Sequence, residues 1–247
     1  MSGHSKWSQI KRQKGAADVK RGAVFTKMTR EITLAAREGG PNPEANFRLR
    51  LAMDRARAVN MPHANIDRAV DKAAGGGDGA QIESAVYEGY GPGGVSVLVE
   101  AATDNRSRTA AEIRSAFTKN GGKLGESGSV QWIFEQKGVI EVDAAGRSTD
   151  DVQLVAIDAG AEDVEVDGSL ITVYTAPAAF ERVKKAIEAA GIPISSAEIS
   201  MRPSSTVRVE GDQAHRVIRL VEGLEELDDV QKVHANFDIP VEVLQHA

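Results

Sequence analysis

The chain has 247 residues, with 30 lysines and arginines against 36 acids, a net charge of −6, 41% hydrophobic residues and no cysteine. That length allows two or three domains, and the missing cysteine excludes disulfides, thiol nucleophiles and cysteine-bound zinc or iron–sulfur centres, which suits a reducing cytoplasm. No stretch reaches the apolar length of a membrane span or a signal-peptide core; the basic start has the charge of a mitochondrial transit peptide, but Gly15 and Gly22 interrupt it and a helix follows directly.

The modest net charge hides a polarity. Residues 1–72 hold fifteen bases against seven acids, a net of +8, and the remainder is net −14. The first thirty residues concentrate the effect, with Lys6, Lys11, Arg12, Lys14, Lys20, Arg21, Lys27 and Arg30 against the single acid Asp18. Such an arm binds polyanions, and segregation of this kind points to one end docked on nucleic acid with the other held away from it. Trp7 and Ile10 sit inside the basic run, where an aromatic ring can add base stacking to phosphate contacts. A solvated, disordered terminus is the plainer explanation of the same charge.

From Ala16 the spacing of Phe25, Met28, Ile32 and Ala35 predicts a helix, stopped near Glu38 by Gly39-Gly40-Pro41. Asn42 offers an N-cap to a second helix, with Pro43 in its first turn, Phe47, Leu51, Ala52 and Met53 facing inward and Arg48, Arg50, Arg55 and Arg57 outward. Beyond Pro62 a third helix carries Ile66, Ala69, Val70 and Ala73 on one face, so residues 1–79 form a basic three-helix domain with an arm. Gly75 to Gly79 reads as an interdomain hinge, since no Lys-Ser/Thr pair follows to make it a phosphate loop.

Strand and helix then alternate. Ala85 to Glu88 and Val95 to Ala102 flank the turn Gly89 to Gly94, and Arg106 to Lys119 is a helix stopped by Gly121-Gly122. Val130 to Gln136, containing Trp132 and Phe134, is a strand, and Val139 to Val142 begins a second cycle. Ser148 and Asp151 form a capping pair for the helix Thr149 to Ala159. A hairpin turns about Asp167-Gly168, a helix starts at Pro177, and Ser195 to Met201 is a last strand. This β-α-β-β-α-β order is the ferredoxin-like split βαβ fold. Val207 to Val209, a helix from Asp212 and the strand Val230 to Phe237 lack a nearby partner, which 95–136 supplies. The expected fold is therefore α+β and multidomain: a three-helix bundle followed by two ferredoxin-like domains, one (80–136 with 205–247) interrupted by the other (137–204), whose twelve acids make it markedly acidic.

Ser2-Gly-His-Ser-Lys-Trp7, Lys20-Arg21-Gly22 with Phe25-Thr-Lys27, Tyr87-Glu-Gly-Tyr-Gly-Pro-Gly-Gly94, Asp104-Asn105-Arg106 with Arg108-Thr109, and Gly121-Gly-Lys-Leu-Gly125 with Gly128-Ser129-Val130 closely resemble the YebC/PmpR family. Mitochondrial translational activators of cytochrome oxidase subunit I belong to that family too. The resemblance runs nearly end to end and implies three domains. It also implies one of two functions, a DNA-binding transcriptional regulator or a ribosome-associated factor that relieves stalls, notably at proline runs.

No catalytic constellation is legible. His4, His63, His215, His234 and His246 are scattered, with no metal-ligand spacing. Asp163, Glu165 and Asp167 alternate on one strand and could hold a divalent cation, which would make a cation-dependent hydrolase, but a solvated strand face accounts for them better. The expectation is a cytoplasmic, non-enzymatic protein without cofactor, metal, membrane attachment or small-molecule substrate, monomeric by default. Nucleic acid is its partner, through Lys6, Trp7, Lys11, Arg12, Lys14, Lys20, Arg21, Lys27 and Arg30. Arg106 and Arg108 are a second contact at the mouth of a helix whose amides attract anions, unless neighbouring acids pair with them. The sheets lack the basic-Gly-aromatic signature of RNA-recognition strands, and the junction Asn60-Met-Pro-His lacks the glycine of a helix-turn-helix. A diffuse basic surface with acidic outer domains suits docking into a large ribonucleoprotein, so ribosomal RNA is favoured over DNA.

Overall fold

The computed structural model describes Trp7 and residues 21–74, 82–144 and 146–240. The remainder of the arm and the Gly75 to Gly79 hinge lie outside the described residues. Helices α1 (Arg21–Gly39), α2 (Phe47–Ala58) and α3 (His63–Ala74) come first. A sheet region follows with β1 (Glu83–Tyr90), β2 (Ser96–Thr103), α4 (Arg106–Lys119) and the short β3 (Lys123–Leu124). Residues 134–203 run β4 (Phe134–Asp143), α5 (Thr149–Asp158), β5 (Asp163–Asp167), β6 (Leu170–Thr175), α6 (Phe180–Ala189) and β7 (Ile194–Pro203). The chain then adds β8 (Val207–Arg208), α7 (Gly211–Glu225), β9 (Val230–Ala235) and β10 (Phe237–Asp238). This is the α+β, multidomain fold class expected from the sequence. Residues 133–204 form one compact unit and the other described residues a second.

In the helical part, α2 begins later than expected. Asn46, not Asn42, is its cap: the Asn46 carboxamide accepts from the Leu49 amide at 3.0 Å and donates to the carbonyls of Ala35 and Gly40. Asn42 instead closes a local turn by accepting from the Glu44 amide. Capping by a buried asparagine also ties α2 to the end of α1, which a cap at Asn42 could not do. The inward face of α2 is accordingly Leu49, Ala52, Met53 and Ala56. At its far end Asn60 takes φ +58°, its amide reaches the Arg57 carbonyl, and the Met61 amide reaches Ala56. That is a Schellman stop in which asparagine does the work of the absent glycine. The same pair of bonds ends α4 at Gly121 and Gly122.

Strand β2 is the centre of the first sheet, whose order is β3-β1-β2-β9. Its sequence Ser-Val-Leu-Val-Glu-Ala-Ala-Thr is buried almost throughout, so both faces are covered. Val97 and Val99 join Ile113 and Phe117 of α4 and Val217, Leu220, Val221 and Leu224 of α7 in one core. Leu98 and Ala102 point the other way and are also buried, and α1 contacts both β2 and β9. This explains why five consecutive α1 residues, Ile32 to Ala36, are buried: a helix covered on two sides cannot show a single apolar stripe.

The topology of this sheet departs from expectation. Val207 to Val209 was to be the third strand of the interrupted domain, but β8 pairs only with β10, in a separate two-stranded parallel sheet. The position between β2 and β3 is taken by β1, the first strand of the region, antiparallel to both. The β1–β2 hairpin turns through Gly93 and Gly94, at φ +72° and +78°. Two other glycines of the same motif blocks answer to close approach: a Cβ at Gly89 would lie 2.7 Å from the Phe117 ring, and one at Gly122 2.7 Å from the Tyr90 carbonyl oxygen.

In the unit 133–204 the sheet order is β5-β6-β4-β7, all antiparallel neighbours, which is the split βαβ arrangement. The two strands expected at 130–136 and 139–142 are one strand, β4, preceded by a single 3₁₀ turn at Gln131–Ile133. Gly138 does not break it, because extended backbone there lets the Thr175 hydroxyl and the Phe180 side chain pack where a Cβ would stand. Ser148 precedes α5 without a side-chain capping bond. Ile140, Val142, Val152, Ile171, Val173, Phe180, Val183 and Ile187 fill the core beneath the helices.

Candidate nucleic-acid interface

Of the residues assigned to phosphate contact, Lys6, Lys11, Arg12, Lys14 and Lys20 lie outside the described residues, as does the side chain of Arg21. The rest are placed, and most of them face inward partners. Trp7 is 3% exposed and packs in the core of the first sheet with Val95, Phe117 and Leu220. A ring so enclosed has no face to offer a base; the aromatic residue in the basic arm is explained by anchoring that arm to the sheet.

Lys27 donates from Nζ to the carbonyl of Glu225, in the last turn of α7, where a cation also complements the helix dipole. Three residues on, Arg30 donates from Nη1 to Oδ1 of Asp229. Asp229 is 2% exposed and is the focus of the site. Its Oδ2 accepts from Arg108 Nη2 at 2.8 Å, from the Thr109 hydroxyl and from the Thr103 hydroxyl at 3.2 Å. Its carbonyl accepts from the Ala102 amide at 2.9 Å. One carboxylate thus joins α1, β2, α4 and the start of β9. Burial alone would raise its pKa, but the hydrogen bonds from Thr109 and Arg108 and the charge of Arg30 outweigh that and hold it below the ordinary aspartate value.

Arg108 also pairs with Asp104 at 2.7 Å, and the hydrogen bonds it donates to Asp229 and Asp104 hold its guanidinium more firmly protonated than usual. Arg106 pairs with Glu83 of β1 through both Nε, at 2.6 Å, and Nη2, at 3.1 Å, and keeps 59% of its side chain exposed. The amide of Arg108 at the mouth of α4 is taken by the Asn105 side chain at 3.1 Å. Neighbouring acids therefore pair with both arginines, as the alternative stated from the sequence allowed.

On the bundle, Arg48 pairs with Glu31 and Glu38, and Arg57 with Asp54. Arg37, Arg55 and Lys72 make no ion pair among the described residues, so they remain available to a polyanion. In the other unit the acidic strand is engaged as well: Arg202 Nη2 lies 2.8 Å from both Asp163 and Glu165, with its guanidinium 3.8 Å from the Tyr174 ring centre. Among the described residues no group of three or more His, Cys, Asp or Glu could hold a metal ion.

Sequence reasoning missed two carboxylates. Glu88 reads only as the end of a strand before the glycine turn Gly89 to Gly94. It is 3% exposed, and its carboxylate accepts from the amides of Gly128 at 2.6 Å, Val130 at 2.7 Å and Gln131 at 2.8 Å. Burial pushes its pKa up, but these three amides outweigh that and depress it. Asp229 hides in the run Glu225-Glu-Leu-Asp-Asp229, where nothing local separates it from solvated neighbours.

Both carboxylates predict acid lability. With folded pKa values below the ordinary 4.5 of glutamate and 3.8 of aspartate, their contribution is fully present above those values and lost as pH falls through the lower folded ones. Urea unfolding is expected to be flat between about pH 5 and 7 and to weaken steeply below about pH 4, with Glu88→Gln and Asp229→Asn each flattening that fall. An equally steep acid limb in wild type and both variants would show that neither carboxylate carries it.

A unit that combines a helical basic module with a four-stranded sheet whose central strand is covered on both faces, and a second compact unit of split βαβ topology interrupting it in the chain, define a multidomain α+β protein with a cationic leading segment. The chain belongs to the TACO1/YebC family: residues 5–76 match its N-terminal domain and residues 82–237 its second and third domains. A protein of Rubrobacter xylanophilus is 54% identical over 99% of this chain and 98% of its own length, and one of Dehalococcoides mccartyi 51% identical over the same shares. Both bear the name "probable transcriptional regulatory protein". A crystal structure of a conserved hypothetical protein from Aquifex aeolicus, 50% identical, superposes with a TM-score of 0.82 over 90% of this chain and 92% of that one. Among the described residues no helix is long and apolar enough to cross a membrane.

Proposed function

We propose that this protein is a non-enzymatic, nucleic-acid-binding regulator of gene expression whose cationic leading segment grips phosphates, with ribosomal RNA as its target and relief of stalled translation, at proline runs among others, as its action in the cytoplasm. The observation that carries the proposal is the charge polarity: residues 1–72 are net +8 and the rest net −14. The pairing of Lys27, Arg30, Arg106 and Arg108 inside the protein refines it. Those four brace the framework, with Arg106 exposed enough to share a phosphate. The mobile counterions are released instead by Lys6, Lys11, Arg12, Lys14, Lys20 and Arg21 of the arm, backed by Arg37, Arg55 and Lys72. Spread cations and a buried Trp7 favour shape and phosphate recognition over base reading.

The names of the relatives support a second reading, transcriptional control through DNA. Crosslinking and sedimentation at physiological salt separate the two. The first reading expects the chain in ribosomal fractions with crosslinks to ribosomal RNA; discrete promoter fragments and absence from those fractions would reverse the order.

A further inference from the structure

Two tryptophans divide the chain's aromatic surface oppositely. Trp7 is enclosed, whereas Trp132, in the turn Gln131–Ile133, is 74% exposed. Trp132 is nonetheless fixed. Its Nε1 donates to the Ser129 carbonyl at 3.1 Å, and the hydroxyl of Tyr90, 37% exposed, donates to the same oxygen at 2.9 Å. The polar ends of both rings are thereby satisfied, leaving flat apolar faces.

The carbonyl that orients them belongs to a loop clamped by Glu88 through the amides of Gly128, Val130 and Gln131. The platform is thus held from beneath by a charge-assisted lock, which removes most of the entropy cost of ordering two rings. Lys123 stands directly opposite Tyr90 in the β1–β3 ladder, hence on the same face of the sheet, is exposed, and makes no ion pair among the described residues.

We infer that Trp132 and Tyr90 form a stacking platform for an unpaired nucleobase, with Lys123 meeting the phosphate of the same strand. The inference rests on the nucleic-acid reading above and adds a second, single-strand-specific site to the arm. The surroundings favour a base over a protein partner. The flanking residues Gly121, Gly122, Gly125, Glu126, Ser127, Gly128 and Gln131 supply no apolar rim for a protein interface, whereas an exposed ring beside an ammonium group is the usual single-strand recognition pair.

The test uses the full chain with labelled oligouridine and oligothymidine of about 20 nucleotides, and a blunt duplex of equal length. Trp132→Ala is expected to weaken single-strand binding about tenfold and leave the duplex unchanged, while Trp132→Phe, which keeps a stacking face, stays within about twofold of wild type. Oligouridine or oligothymidine should also quench the emission of Trp132 in a Trp7→Phe background. The uridine and thymidine arms distinguish RNA from DNA as the source of the base. Unchanged single-strand affinity in Trp132→Ala, with duplex binding intact, overturns the platform alone. Absence of all binding by wild type overturns both the platform and the function on which it rests.

Discussion

Asp229→Ala is expected to lower the stability of the protein by about 3 kcal/mol and to loosen helix α1 from the first sheet. The substitution strips one acceptor from Arg30 and Arg108 at once and leaves the Thr103 and Thr109 hydroxyls with each other, at 2.7 Å, and with the backbone of Asn105, whose amide donates to Thr103 and whose carbonyl accepts from Thr109. Replacing one partner of a buried pair costs more than the pair contributes, because the remaining groups have lost their water and their counter-charge together. Arg108 retains Asp104 and is partly solvated, which keeps the figure below the upper end of that range. Arg30 is the more affected by the loss, since Asp229 is the carboxylate it pairs with. Urea unfolding checks the magnitude, and hydrogen exchange checks the place: amides of Ile32 to Ala36 should exchange faster than those of β6. A loss under about 0.5 kcal/mol, with α1 still protected, would mean that apolar contact alone holds the bundle.

The second large effect concerns binding. Glutamine at Lys11, Arg12, Lys14, Lys20 and Arg21 is expected to reduce affinity for a polyanion about a thousandfold at physiological salt, since each phosphate neutralised releases nearly one counterion. The same chain with Lys27, Arg30 and Arg108 changed to glutamine behaves differently. It loses stability first, because those cations face a carbonyl and a buried carboxylate. The contrast separates cations that bind outward from cations that bind inward, and a filter-binding titration with matched thermal melts reads both.

That separation is where the sequence stopped being informative. A lysine awaiting a phosphate and one donating to the Glu225 carbonyl have the same spacing and the same charge, and only the approach of a helix 198 residues away distinguishes them. The tryptophans were inverted for a related reason. Trp7 lies among cations and reads as exposed, while Trp132 lies among β-formers and reads as a strand residue, yet long-range packing buries the first and a loop anchored by Glu88 presents the second. Local patterns were legible: Arg106 to Lys119 has the bounds expected of it, and the hairpin at Asp167-Gly168 follows from turn chemistry. Pairing between distant strands was not. Val207 to Val209 and Ala85 to Glu88 both have strand composition, and which of them joins β2 depends on chain geometry that periodicity does not encode.

The segregation of charge underlies the account, and the salt dependence of binding measures it most directly. For the full chain on duplex nucleic acid, the logarithm of the association constant should fall with the logarithm of salt at a slope of about −5, the release expected from about six phosphate contacts. The five-glutamine variant should flatten that slope to about −1. A wild-type slope already near zero, or one that the five substitutions leave unchanged, would contradict the claim that the cationic leading segment holds the phosphates.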